Sequence, residues 1–304
     1  MTGMNMTWLI SDAIESLAKR RSNMKKMVII MVALLLTACE KAVIDEPQGN
    51  VTMTFSVTNS DITRGTVTIG DYFTKLNVML FDADGQKVFD KVHTQLATDD
   101  GFGTLSAALQ AGTYTVVAVG HSSLVSATIK SPQMVQFTAK DGQKLTDTFC
   151  YCGEVTIGNT PEQFQLKMHR VCAMVDVVAT DETVPDGFAR VVIGYMGGSA
   201  NFNPTTFEGT TKSTQSEART KADRYQVFTF PYMATTGTLK MTLSMQTADG
   251  TVLAVKTINE VPVTRNRITR YTGHLFDDMP GEITETGFGF MVETEWDGVD
   301  EHTF

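Results

Sequence analysis

The chain is poor in the residues that most chemistry needs. Of its 304 residues, five are histidine and four are cysteine. The histidines, His93, His121, His169, His274 and His302, are scattered, and no two sit at metal-ligand spacing. There is no His-Glu-x-x-His and no glycine-rich phosphate loop closing on Lys-Ser or Lys-Thr. Gly197-Gly198-Ser199-Ala200-Asn201 opens like a nucleophile elbow but lacks the closing glycine, so a loop is expected there. Asp82-Ala83-Asp84-Gly85 lacks the further oxygen ligands and terminal Glu of a calcium loop. Asp99-Asp100 and Asp277-Asp278 read as solvated turn residues rather than paired carboxylates of a glycosidase. No enzyme activity, cofactor or metal is expected. Positive charge is scarce as well. The net charge is −9, and no Lys/Arg-rich block follows Lys25-Lys26, which sets nucleic acid aside as a partner. No apolar run approaches the ~20 residues of a membrane span. The stretch Met27–Ala38 has 12 residues, the length of the hydrophobic region of a secretory signal.

That stretch is the most informative part of the chain. Lys25 and Lys26 precede it, Met27 to Leu36 are all apolar, and Leu36-Thr37-Ala38 lead into Cys39. A positive end, a short apolar region and a small-residue cleavage site make a secretory signal. The cysteine directly after Leu-Thr-Ala resembles the lipobox of bacterial lipoproteins. The resemblance implies that Cys39 is acylated and becomes the first residue of the mature protein. A lipoprotein signal opens its chain, so Met24 is the expected start, residues 1–23 are a non-native extension, and residues 1–38 lie outside the fold. Residues 39–49, with Pro47 and Gly49, read as an acylated polar tether.

With Cys39 assigned to lipid, Cys150, Cys152 and Cys172 remain, an odd number that rules out a complete disulfide framework. Cys150 and Cys152 would share one face of a strand, with Cα atoms roughly 6.5–7 Å apart, at the far limit for a bridge. They read as small core hydrophobes.

Beyond the tether, the periodicity is that of strands. Val51, Met53, Phe55 and Val57 alternate with hydroxyl residues; Leu76, Val78 and Leu80 do the same, as do Tyr114, Val116 and Ala118. Leu166-Lys167-Met168 leads into Val171, Ala173, Val175 and Val177, and Leu239, Met241, Leu243 and Met245 alternate with polar residues. Period-2 alternation predicts strands with one buried and one wet face, paired antiparallel. Asp84-Gly85 and Asp249-Gly250 predict hairpin turns. Helical signal is thin; Ser216 to Arg224 reads as a short polar helix or a loop. Thr160-Pro161-Glu162 marks a domain boundary. With 42% hydrophobic and 19% charged residues the mature chain can build its cores. The reading is all-β, with two β-sandwich domains over 50–159 and 160–304.

The order of motifs adds a family. The lipobox, a first strand, Thr63-Arg64-Gly65, and then Lys75-Leu76-Asn77-Val78-Met79-Leu80-Phe81-Asp82-Ala83-Asp84-Gly85 resemble the N-terminal half of the fimbrillins, lipoprotein-derived subunits of type V pili in Gram-negative anaerobes. Leu166-Lys167-Met168-His169-Arg170-Val171 resembles the segment opening the family's second domain, and Val261-Pro262-Val263-Thr264-Arg265-Asn266 resembles its late strand. The resemblance implies two tandem transthyretin-like, Greek-key, antiparallel β-sandwich domains and a structural role at the cell outer membrane. Other fimbrial subunits would be the partners, joined by β-strand addition. It places the arginine-specific cleavage site of stalk subunits at Arg64, whereas anchor subunits keep the lipid on Cys39 uncut. The chain resembles the anchor or minor-subunit branch. A processed stalk or tip subunit cut after Arg64, and a surface lipoprotein that binds a glycan or other ligand through Trp296, Tyr225, Tyr232 or Tyr271, stand as alternatives.

Overall fold

The computed structural model describes residues 51–59, 68–125, 127–138, 145–276 and 296–303. In chain order the strands are β1 (Val51–Asn59), β2 (Lys75–Phe81), β3 (His93–Leu96), β4 (Thr104–Leu109), β5 (Gly112–His121), β6 (Ala127–Ser131), β7 (Met134–Phe137), β8 (Thr148–Ile157), β9 (Gln163–Arg170) and β10 (Ala173–Ala179). They continue as β11 (Arg190–Ser199), β12 (Asn201–Asn203), β13 (Glu208–Gly209), β14 (Lys212–Thr220), β15 (Arg224–Thr229), β16 (Thr236–Gln246), β17 (Val252–Thr264), β18 (Ile268–Gly273) and β19 (Val299–Thr303). The all-β expectation holds, and the described residues contain no helix beyond a single 3-10 turn at Ile69–Asp71.

The first core lies within a seven-stranded sheet ordered β3-β2-β5-β8-β9-β1-β4. Strands β8 and β9 touch only at Phe149–Arg170 and Cys150–His169, so the sheet turns a corner there and its two halves face each other. Val57, Leu80, Leu105, Val116, Phe149 and Leu166 fill the space between them. Strand β9, beyond the boundary expected at Thr160, belongs to this first sheet, where it pairs with β1. The chain enters the second core at Ala173. That core lies between two four-stranded sheets, β15-β10-β18-β19 and β14-β11-β16-β17. Val175, Val177 and Tyr271 from one sheet meet Ile193, Met241, Leu243 and Val261 from the other.

Three features depart from simple alternation. First, β2 and β5 have no wet face. Leu76 to Phe81 and Val116 to His121 are all buried, because a further sheet, β13-β12-β7-β6, covers their outer side with Ile129, Val135 and Phe137. Second, β1 with β9, β10 with β18, and β18 with β19 pair parallel. Third, 212–220 is strand β14, not the helix or loop expected from Ser216 onward. Its inward row is Ser213, Gln215, Glu217 and Arg219, so the apolar alternation that marks a strand is missing. Both Asp-Gly turns form, with Gly85 at φ 74° and Gly250 at φ 94°. Only the second joins two full strands. After Gly85 a single bridge, Phe81–Lys87, precedes β3 at His93.

Candidate assembly site

Strand β1 is the first described element and sits inside its sheet, with a neighbour on each side. Val51, Met53, Phe55 and Val57 point into the core and are all buried. Thr52, Thr54 and Ser56 face outward, and Thr54 Oγ1 lies 3.4 Å from Ser106 Oγ. Against β4 the register runs without a break: Val51 opposite Leu109, Met53 opposite Ala107, Phe55 opposite Leu105. Against β9 it runs parallel, Phe55 opposite Phe164 and Val57 opposite Leu166. The rings of Phe55 and Phe164 stack 5.4 Å apart. Without β1 there would be a slot one strand wide, walled by Leu105, Ala107 and Leu109 on one side and by Phe164, Leu166 and Met168 on the other. Its rims would be the backbone groups of β4 and β9. Such a slot can hold one extended segment with alternate apolar side chains.

At the other end of the described chain, β19 lies parallel to β18 at a sheet edge. It is fastened by charge: Arg267 to Asp300 at 2.7 Å, and Arg270 to Glu301 at 2.9 Å. The His302 ring stacks on Tyr271. Just ahead of β19, the Trp296 ring covers the guanidinium of Arg170, 4.0 Å from centroid to Cζ. Arg170 is 2% exposed. It donates two hydrogen bonds to Asp147, of 2.7 and 2.8 Å, and one to Asn266 Oδ1, and its guanidinium also lies over the Phe149 ring. This single side chain joins the end of β9, the approach to β8, the turn before β18 and the C-terminal segment. A second buried charge, Asp176 on β10, is held between Arg224 and Arg270 at 2.6 and 2.7 Å.

The structure settles several residues read from the sequence. Cys39 and Arg64 lie outside the described residues, as do Phe288-Gly289-Phe290-Met291-Val292. Cys150, Cys152 and Cys172 are free thiols, and burial raises the pKa of each, which keeps them protonated at neutral pH. His121 is fully buried. Its Nδ1 lies 3.1 Å from the Ser123 amide nitrogen, and its Nε2 lies 2.8 Å from Asn77 Oδ1 and 3.3 Å from the Ala127 amide nitrogen. Burial, helped by the nearby Lys75 ammonium, pushes its pKa down to about 3. Among the described residues no group of three His, Cys, Asp or Glu side chains is placed to hold a metal, and no helix is long and apolar enough to cross a membrane. Of the aromatic residues weighed as a ligand platform, Tyr225 and Tyr271 are buried and Trp296 is spent on Arg170. The Arg170 hub was not foreseen. The one signal for it was an arginine ending the alternation Leu166, Met168, Arg170 at an inward position.

Fold and site together define an all-β sandwich protein whose first strand is a buried, doubly flanked insert. The chain belongs to a family of unknown function, DUF6562, whose model matches residues 44–302. A search of curated proteins finds no match. Among solved structures, the chain is similar to a candidate adhesin from Bacteroides ovatus, with 14% identity, 73% of this chain and 86% of that chain covered, and a TM-score of 0.48. It is also similar to a candidate polysaccharide-binding protein from Bacteroides thetaiotaomicron, at 10% identity, 69% and 81% coverage and a TM-score of 0.47. The fimbrial anchor protein Mfa2 from Porphyromonas gingivalis matches at 15% identity, 68% and 81% coverage and a TM-score of 0.41.

Proposed function

We propose that the chain is a structural lipoprotein of the cell surface, an anchor or minor subunit of a fimbria. It is held to the outer membrane through lipid on Cys39 and joined to neighbouring subunits by β-strand addition. The observation that carries the reading is the seat of β1 between β4 and β9. The tether that follows Cys39 runs directly into a strand whose removal would leave a slot shaped for one strand of another subunit. In an anchor β1 stays, and the lipid holds the folded domain permanently. In a stalk or tip subunit, cleavage after Arg64 severs β1 from the domain, so that a strand of the next subunit can displace it together with the lipid. The chain works without catalysis or cofactor in either case. The two tandem domains are built on the two cores; β9 pairs with β1 in the first sheet, and β12 and β13 join β7 in the sheet over the first core.

N-terminal analysis of the protein from its native membrane tests this. A blocked, acylated Cys39 is the expected result. A free Gly65 makes it a processed subunit, and a soluble, unacylated protein beginning elsewhere overturns the reading.

A further inference from the structure

The sheet β14-β11-β16-β17 carries two bulges side by side. On β11, Gly197 and Gly198 stand against the single residue Ser213 of β14, between the pairs Met196–Thr214 and Ser199–Lys212. On β17, Asn259 and Glu260 stand against the single residue Lys240 of β16, between Leu239–Val261 and Met241–Ile258. The two meet across the sheet, because Met196 lies directly opposite Lys240. A bulge bends its strand and re-aims the side chains around it. Two in adjacent register open a groove of about 640 Å³, within the ~300–1,000 Å³ range of small-ligand sites.

The backbone here is held in costly conformations. Glu260 sits at φ 55°, a left-handed angle that residues with side chains rarely adopt, and Gly197 at φ 113°. A Cβ at Gly197 would lie 2.7 Å from the Thr238 carbonyl oxygen, so only glycine lets the two strands approach this closely. Ser213 turns inward beside the groove, and its buried hydroxyl has no hydrogen-bond partner among the described residues.

The lining has a definite chemistry. Lys212 and Lys240 are exposed, and among the described residues neither makes an ion pair, although Glu260 lines the same groove. Two unneutralised ammonium groups stand out on a chain of net charge −9. Around them are hydroxyls from Thr214 and Thr238, the amide of Asn259 and the Glu260 carboxylate, all groups that bond sugar hydroxyls. Met196, 45% exposed, offers an apolar surface for the C–H face of a sugar ring. Strands β11 and β16, which carry Met196, Gly197, Thr238 and Lys240, are paired on both sides, so the middle of the groove offers no free backbone edge to an extended peptide.

We propose that this double-bulge groove binds an acidic oligosaccharide, with Lys212 and Lys240 on the carboxylates of uronic-acid units and the hydroxyl and amide groups on the remaining oxygens. The site is independent of strand addition and of the lipid on Cys39.

Titration calorimetry of the chain from Cys39 onward, with a defined oligogalacturonate, tests it. Maltohexaose serves as the neutral control and poly-L-glutamate as the acidic-peptide control. The expected result is oligogalacturonate binding that weakens roughly tenfold or more, about 1.4 kcal/mol per tenfold, in Lys212→Glu/Lys240→Glu. Both lysines are exposed, so the far-ultraviolet spectrum should stay that of the parent. Binding should also weaken as salt rises, while maltohexaose binds poorly. Absence of oligogalacturonate binding, binding unchanged by the double substitution, or equal binding of poly-L-glutamate would each overturn the proposal.

Discussion

His121 gives the molecule an acid-sensitive point. Its pKa is about 3 in the fold, against ~6.5 for an unperturbed histidine. Between those values the unfolded chain takes up a proton that the folded chain refuses, so stability falls as pH drops through that window and levels off below it. From pH 7 to 4.5 this side chain alone should remove about 2–3 kcal/mol. Urea midpoints at the two pH values, compared with those of His121→Gln, check it: the variant should lose less stability on acidification. Arg170 is a second such point. Replacing a buried, paired guanidinium with Met leaves Asp147 without its partner and should cost about 3–5 kcal/mol. Arg170→Lys should not recover this, because an ammonium cannot reproduce the fork to Asp147 or the stacking on two rings. Trp296 and Trp8 are the only tryptophans. In a chain beginning at Cys39, tryptophan fluorescence therefore reports on Trp296, packed on Arg170 and Phe228.

At the scale of elements, β1 and β19 are held by different forces. The four inward side chains of β1 each gain ~1.5–3 kcal/mol by burial, so together they rival the net stability of a whole domain. A chain cut after Arg64 should therefore keep β1 in its slot, released by denaturant rather than by dilution. Co-elution of the two pieces on gel filtration before urea, and their separation after it, is the expected outcome. Strand β19 is held by exposed pairs that contribute ~0–1 kcal/mol each. Trp296→Ala forfeits a cation–π contact worth about 0.5–2 kcal/mol, so it should loosen the segment more than Asp300→Ala does. Amide exchange in Val299–Thr303 would measure the difference. The elements readable in the sequence were those with one core and one solvent face: β1 and β16 alternate because outward residues such as Thr52 and Thr54, and Thr238 and Lys240, stay exposed or half-buried. Strands β2 and β5 carry the same alternation of larger side chains, but Asn77, Met79, Val117 and Val119 are buried by a sheet assembled from distant strands. Strand β14 was hidden because Glu217 is neutralised by Arg219 and bonded by the Tyr195 hydroxyl, an inward polar row that no local pattern reveals. Inward charge on an edge strand also discourages pairing with a stray strand.

For the whole molecule, periodicity and turn chemistry were enough to indicate an all-β chain with two cores. The partners of β1 were not legible, since β4 and β9 reach it from far along the chain, one antiparallel and one parallel. If Cys39 carries the lipid, Cys39→Ala should move the protein from the membrane to the soluble fraction with its unfolding midpoint unchanged. Fractionation and urea melting together test both halves of that statement.

The placement of β1 has a mechanical consequence. Tension arriving from ahead of Val51 runs along the strand axis, so the backbone bonds to β4 and β9 bear it in shear, many at once, rather than opening one by one. A subunit tethered at that end would grip most firmly when pulled along β1 and give way more readily to a peeling force on its edge strands.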